Sequence, residues 1–312
     1  MHDLAQEGAK RMANMYLSPK EITEEYVAIG QKKASTPAYK LFILGILAGA
    51  LIAFASEGSN VAIHTLDSVG LGKLLAGIIF GTGLMMVVIT GAELFTGNTL
   101  IVISCIEKKV RWLDMLRNWV IVYLGNFIGA LTIVIFIIYS GQLDFSGGLL
   151  GGFTIKTAVY KTGLTFSQAL LMGIMCNWLV CLAVWMAAAA KDIAGKVLAI
   201  FFPIMLFITS GFEHSIANMY YIPAGIIAKM NPVWVEQAEA LGVTAAKLAH
   251  LNWESFIVNN LIPVTLGNII GGSLFVGVFY WLGTLYKGRP AAAEKTDRLM
   301  PGKLDNAWAK SK

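Results

Sequence analysis

A polar interruption occurs twice inside otherwise apolar runs of this chain, and it constrains the fold more than any other feature. The first copy reads Thr90-Gly91-Ala92-Glu93-Leu94-Phe95-Thr96-Gly97-Asn98 and the second Ser210-Gly211-Phe212-Glu213-His214-Ser215-Ile216-Ala217-Asn218. Both fit Gly-x-Glu-x4-Asn, and each is followed later by Gly-Asn-x-x-Gly, at Gly125, Asn126 and Gly129 and at Gly267, Asn268 and Gly271. An ionisable residue at bilayer depth costs at least ~2.5 kcal/mol and marks a functional site by default. Two such breaks at matching places in two halves predict a transporter or channel with a site near the membrane centre.

Composition sets the medium. Hydrophobic residues make up 56% of the chain and charged residues 14%, against about 25% charged in soluble domains, so a polytopic membrane protein is predicted. The first residues, Met1-His2-Asp3-Leu4-Ala5-Gln6-Glu7, lack a basic stretch followed by an apolar one, so no cleaved signal peptide is expected. Cys105, Cys176 and Cys181 all lie in apolar runs without ligand spacing and read as buried small hydrophobes.

Apolar runs near the ~20 residues that cross a bilayer fall at six places. They are Leu41–Ser56, Leu74–Cys105 with its break, Trp119–Tyr139, Ala169–Ala190, Val197–Ala228 with its break, and Phe256–Tyr286. With both termini cytoplasmic, the inside segments hold 19 of the 24 Lys and Arg residues, leaving Lys73, Lys156, Lys161, Lys229 and Lys247 outside. The positive-inside rule favours that orientation. Three spans per half is an odd number, so the second half enters from the opposite side. The fold class is therefore an all-α membrane protein of six transmembrane helices, an inverted 3+3 repeat with broken second and fifth helices.

Residues 1–37 read as a helical segment at the inner surface, 38–286 as the transmembrane body, and 287–312 as a basic tail. Ser18-Pro19-Lys20-Glu21 supplies an N-cap, a proline at N1 and a capping-box glutamate. Ile22, Tyr26 and Ile29 share one face of that helix, which either packs on the transmembrane body, lies on the bilayer or plugs the inner mouth. Gly147-Gly148 and Gly151-Gly152 predict a flexible outer loop after the third span.

The breaks carry the chemistry. Non-helical backbone at membrane depth is tolerated only inside protein or against a watery cavity. The polar residues there either stitch kinked helices together or line a permeation path, and we read them as a path. His214, beside Glu213, can exchange a proton at physiological pH and is expected opposite Thr96. Glu93 and Glu213 read as structural acceptors, and Asn177, alone in its apolar run, as a hydrogen-bond partner of the cluster. Lys161 is either a solvated loop lysine or a charge that concentrates anions at a pore mouth. HExxH, Gly-x-Ser-x-Gly and GxxxxGK[ST] are all absent, so an enzyme is not predicted, and no metal or cofactor is expected. Asn231-Pro232 occurs once, which does not support an aquaporin-type pair of Asn-Pro loops.

At these residues, over about Tyr26 to Tyr286, the sequence resembles the formate–nitrite transporter family and, within it, the bacterial formate channels. The strings Glu93–Asn98, Ser210–Met219 and Asn260–Gly272 carry the likeness. The resemblance implies a homopentamer in a bacterial cytoplasmic membrane, each aquaporin-like protomer holding its own pore. It implies an outer constriction at Leu94 and Phe207 and an inner one at Phe80 and Leu84. Thr96 and His214 would lie between them, with Asn177 and Asn268 nearby. Lys161 matches the family's vestibule lysine, which turns its reading to functional. One departure stands out: formate channels often carry a His pair soon after that lysine, where this chain has Thr162-Gly163-Leu164.

The expected substrate is formate, carried in both directions and linked to protons; nitrite, hydrosulfide, lactate or acetate is the alternative on the same fold. Burying an unpaired carboxylate costs far more than burying its neutral acid. The expectation is that Lys161 collects the anion, the slit strips its water, and a proton, relayed by His214 or taken from water, lets it pass. Simple anion channelling past a cationic His214 is the rival.

Overall fold

A computed structural model describes residues 16–286; the predicted basic tail lies outside the described residues. Regular structure there is helical apart from one bridge between Tyr16 and Ala190.

Helix α1, Pro19–Ser35, starts as its sequence dictates: Ser18 Oγ accepts from Glu21 N–H, and Glu21 returns the bond to Ser18 N–H at 2.7 Å. Its apolar face is docked on protein. Ile22 and Tyr26 are buried, Tyr26 stacks on Trp185 at 4.8 Å, and Thr23 Oγ1 bonds Thr284 Oγ1 at 2.8 Å. Of the three expectations for this helix, packing on the body is the one observed.

Among the described residues, five helices are long and apolar enough to cross a bilayer: α2 Ala38–Ile63, α3 Val69–Thr90, α5 Trp112–Tyr139, α7 Phe166–Ala189 and α12 Trp253–Thr284. Between them lie shorter helices at the breaks, α4 Phe95–Ile106 after the first, α8 Ile193–Thr209 and α9 Ser215–Ala228 around the second. The fifth predicted span is thus two helices of 17 and 14 residues, neither reaching the ~20 residues of a full crossing.

Two expectations need correction. The first span does not stop at Ser56 but runs to Ile63, burying Ser56, Glu57, Ser59 and Asn60. Hydropathy ended it early because it cannot register that Glu57 is paired, with Tyr220 O–H donating to it at 2.6 Å. The expected flexible loop contains a helix, α6 Leu149–Thr162. Its glycines serve contact rather than mobility: a Cβ at Gly151 would stand 2.6 Å from Trp234 Cδ1, and one at Gly152 2.6 Å from Gln237 Cβ. Both neighbours belong to α10, Pro232–Ala240.

Small residues let the long helices pair closely, as membrane interfaces favour. A Cβ at Gly125 would lie 2.7 Å from the Phe42 carbonyl oxygen, packing α5 on α2. In the other half a Cβ at Gly267 would lie 3.0 Å from Gly173 Cα, packing α12 on α7. Helix α12 widens into π-type turns at Phe256–Leu261 and Gly271–Val278, on either side of Asn268. Such turns are rare and concentrate at functional sites.

The two halves repeat bond for bond. Asn126 Oδ1 accepts from Phe95 N–H at 3.0 Å, and its amide donates to Gly45 O and Glu93 O. Asn268 Oδ1 accepts from Ser215 N–H at 2.9 Å, and its amide donates to Gly173 O and Glu213 O. Helix α1 and the ends of α4, α7 and α12 gather at one face, while α6, α9 and α10 gather at the other. Matching elements therefore face opposite ways, as an inverted repeat requires.

Candidate functional site: the path between the two breaks

Each long helix that precedes a break ends on a glycine in the left-handed region, Gly91 at φ 78° and Gly211 at φ 75°. No atom would obstruct a Cβ at Gly91, so its conformation, not space, demands glycine. The chain then turns back inward, and Glu93 N–H and Glu213 N–H are satisfied by Leu44 O at 3.1 Å and Met172 O at 3.4 Å.

Both glutamates are buried at the centre of equivalent knots. Glu93 takes Lys33 Nζ at 2.7 Å and Asn98 Nδ2 at 2.7 Å, and Asn98 leans on Asn118. Glu213 takes Lys161 Nζ at 2.8 Å and Asn218 Nδ2 at 2.7 Å, and Asn218 leans on Asn260. Asn118 and Asn260 then donate to the backbone oxygens of Lys33 and Lys161, at 3.0 and 2.9 Å. Lys33 is therefore the structural counterpart of Lys161, at the opposite face. Sequence reasoning missed it because the lysines sit at different distances from their glutamates; only the Asn118/Asn260 register betrays the match. Lys161 itself lies in the last turn of α6, its side chain 12% exposed, not in a solvated loop.

The breaks meet where Thr96 Oγ1 and His214 Nε2 lie 3.0 Å apart. His214 is also the N-cap of α9, its Nδ1 accepting from Ala217 N–H at 3.1 Å. A ring whose Nδ1 accepts carries its proton on Nε2, which then donates to Thr96. Becoming an imidazolium would cost it that cap. Asn177 ties the first break to α12, whose Asn268 holds the second, with Nδ2 3.1 Å from Thr96 O and 2.6 Å from Asn268 O. Asn177 Oδ1 and Ser215 Oγ are buried without a partner.

Leu94, Phe207, Phe80 and Leu84 are all buried. Phe80 packs edge to face on Phe207 at 5.7 Å, and Phe207 lies 6.0 Å from the His214 ring. Phe80 and Phe207 thus lie side by side. The reason is that α3 and α8 run antiparallel: Gly77 abuts the Met205 carbonyl, and Thr209 Oγ1 bonds Lys73 O.

Inverted halves, central breaks, a capped histidine and the buried Phe80–Phe207 pair beside it define a membrane channel or transporter built as a two-fold repeat. A family profile described as Formate/nitrite transporter matches residues 20–282, and the chain belongs to that family. It is 41% identical over 274 residues to the formate channel FocA of Haemophilus influenzae, covering 86% of this chain and 95% of that one. It is 40% identical over 257 residues to FocA of Escherichia coli K12, covering 81% and 89%. A solved pentameric formate channel with formate bound superposes with TM-score 0.70 at 42% identity, covering 78% of this chain and 96% of the other.

Proposed function

We propose that this chain is a channel or transporter for formate, bidirectional and proton-linked, acting as a homopentamer in a bacterial cytoplasmic membrane with both termini cytoplasmic. The observation that carries the reading is the Thr96–His214 contact at the meeting of two inverted breaks, with a Lys–Glu pair at each face. The names of the relatives, formate channels at about 40% identity, support the substrate, and the solved pentamer supports the assembly. Concentration of Lys and Arg in the segments assigned inside supports the orientation.

In this reading Lys161 and Lys33 collect the small anion at opposite entrances. Phe80 and Phe207 make one apolar ring, leaving Leu84 and Leu94 for the other. Between the rings the carboxylate loses its water, and desolvation favours its neutral acid. Asn177 Oδ1 and Ser215 Oγ, two of the buried polar atoms without a partner, offer hydrogen bonds to the passing molecule. His214 serves as a neutral Nε2–H donor rather than as a fixed cation, which favours proton-linked passage over simple anion channelling.

The test is formate uptake into proteoliposomes at two donor-side pH values. Saturable uptake that rises steeply at the lower pH is expected; flux of nitrite or hydrosulfide without formate would overturn the substrate. His214→Asn should flatten the pH response, and full retention of it would remove His214 from the proton route. Lys161→Ala should raise the half-saturation for entrance from outside, and Lys33→Ala that from inside. An equal effect of either variant on both directions would refute the paired-collector assignment.

A further inference from the structure

We propose that Tyr221 is a positioning residue for Lys161, holding its ammonium over the outer entrance. The inference rests on the reading of Lys161 as an anion collector. Lys161 Nζ lies 5.1 Å from the centroid of the Tyr221 ring, within the ~6 Å at which a ring face attracts a cation. The ring is itself fixed, because Tyr221 is buried and its O–H donates to Ser56 O on α2 at 3.3 Å.

The need for a second hold follows from the ammonium's chemistry. It has three N–H donors and no acceptor, and Glu213 Oε1 takes one of them. Glu213 already balances its charge, and a second carboxylate would make the cluster net negative and repel a passing anion. An aromatic face attracts the cation without carrying a net charge, so it fixes the side chain without adding negative charge to the entrance. Helix α9 supplies both holds: Asn218 steadies Glu213, and Tyr221 follows one turn later.

The other entrance lacks this device. The offset of 120 residues relating Glu93 to Glu213 and Asn98 to Asn218 places Ile101 where Tyr221 stands. Among the described residues no ring lies within cation–π distance of Lys33. Its side chain is 26% exposed, against 12% for Lys161. Two lysines equivalent by symmetry are thus held unequally, and the difference is confined to one side.

The experiment is formate uptake into vesicles of each sidedness, read as half-saturation and maximal rate for Tyr221→Leu, Tyr221→Met, Tyr221→Phe and Lys161→Ala. Loss of the ring in the first two should raise outer-side half-saturation about threefold to tenfold. Inner-side half-saturation and maximal rate should stay put, and Tyr221→Phe, which keeps the ring, should match the parent protein. Tyr221→Met fills similar space and gives the same readout if the leucine variant does not insert. An unchanged outer-side value, or equal loss from both sides, overturns the proposal. Lys161→Ala separates the causes: if it raises outer-side half-saturation while the ring variants do not, only the positioning role fails. If it too changes nothing, the collector reading fails and the proposal falls with it.

Discussion

Asn268→Leu is expected to remove the folded protein rather than merely slow it. Leucine fills nearly the same space, so the loss is one of hydrogen bonds. Ser215 N–H and Glu213 O both lose the partner they have in Asn268, at 2.9 and 3.0 Å, and both belong to backbone that no helix ladder satisfies. Each orphaned buried group costs about 1–3 kcal/mol, so the pair costs about 2–6 kcal/mol. That is a large part of the ~5–15 kcal/mol that separates typical folded and unfolded chains. Asn126→Leu should do equal damage, since it strands Phe95 N–H and Glu93 O in the same way. Thermal melting of the detergent-purified variants gives the answer, and an Asn268→Leu protein melting with the parent would refute this account of the break.

Glu213→Leu is expected to be comparably damaging. The carboxylate is almost completely enclosed, and removing it leaves the Lys161 ammonium, 12% exposed, without its counter-ion. It also takes away one of the two bonds made by each of the Asn218 and Asn260 amides, those at 2.7 and 3.2 Å to Glu213 Oε2. Breaking one side of a buried ion pair typically costs ~3–5 kcal/mol, most of it the burial of an uncompensated charge. Adding Lys161→Met should therefore recover part of the stability, because no charge is then left alone. Melting temperatures of the parent, both single variants and the double variant test this. A double variant as unstable as the sum of the singles would mean the pair has no coupling to lose.

Much of this was legible in the chain because membranes leave few options for polar atoms. Glu93, Glu213, Asn126 and Asn268 stood out since an apolar run has no other reason to contain them. The inverted repeat followed from their spacing, and His214 from its place beside Glu213. What stayed hidden depended on partners far apart in sequence. Lys33 read as one more lysine of a basic leading segment until Glu93 came within 2.7 Å of it. Glu57 looked like the end of a span because pairing with Tyr220 across 163 residues leaves no local trace. Phe80 lies against Phe207 because helix direction, not residue type, decides which apolar residues meet. Gly151 and Gly152 were misread for a related reason: glycine marks both mobile loops and tight contacts, and only Trp234 and Gln237 decide between them.

Helix α4 is too short to cross a bilayer, and its polar backbone is covered by parts of the chain made much later. Asn177 reaches Thr96 O, and Ser273 Oγ donates to Thr99 O at 3.1 Å. During synthesis the first half emerges with neither cover in place, and Thr96 O and Thr99 O then keep only their local bonds, from Thr99 Oγ1 at 2.7 Å and from Val102 N–H. The final arrangement of the first break waits on the last helix to enter the membrane. A chain truncated within α12 should therefore expose its earliest pore-forming segment to quality-control proteases, although every residue of that segment is already present.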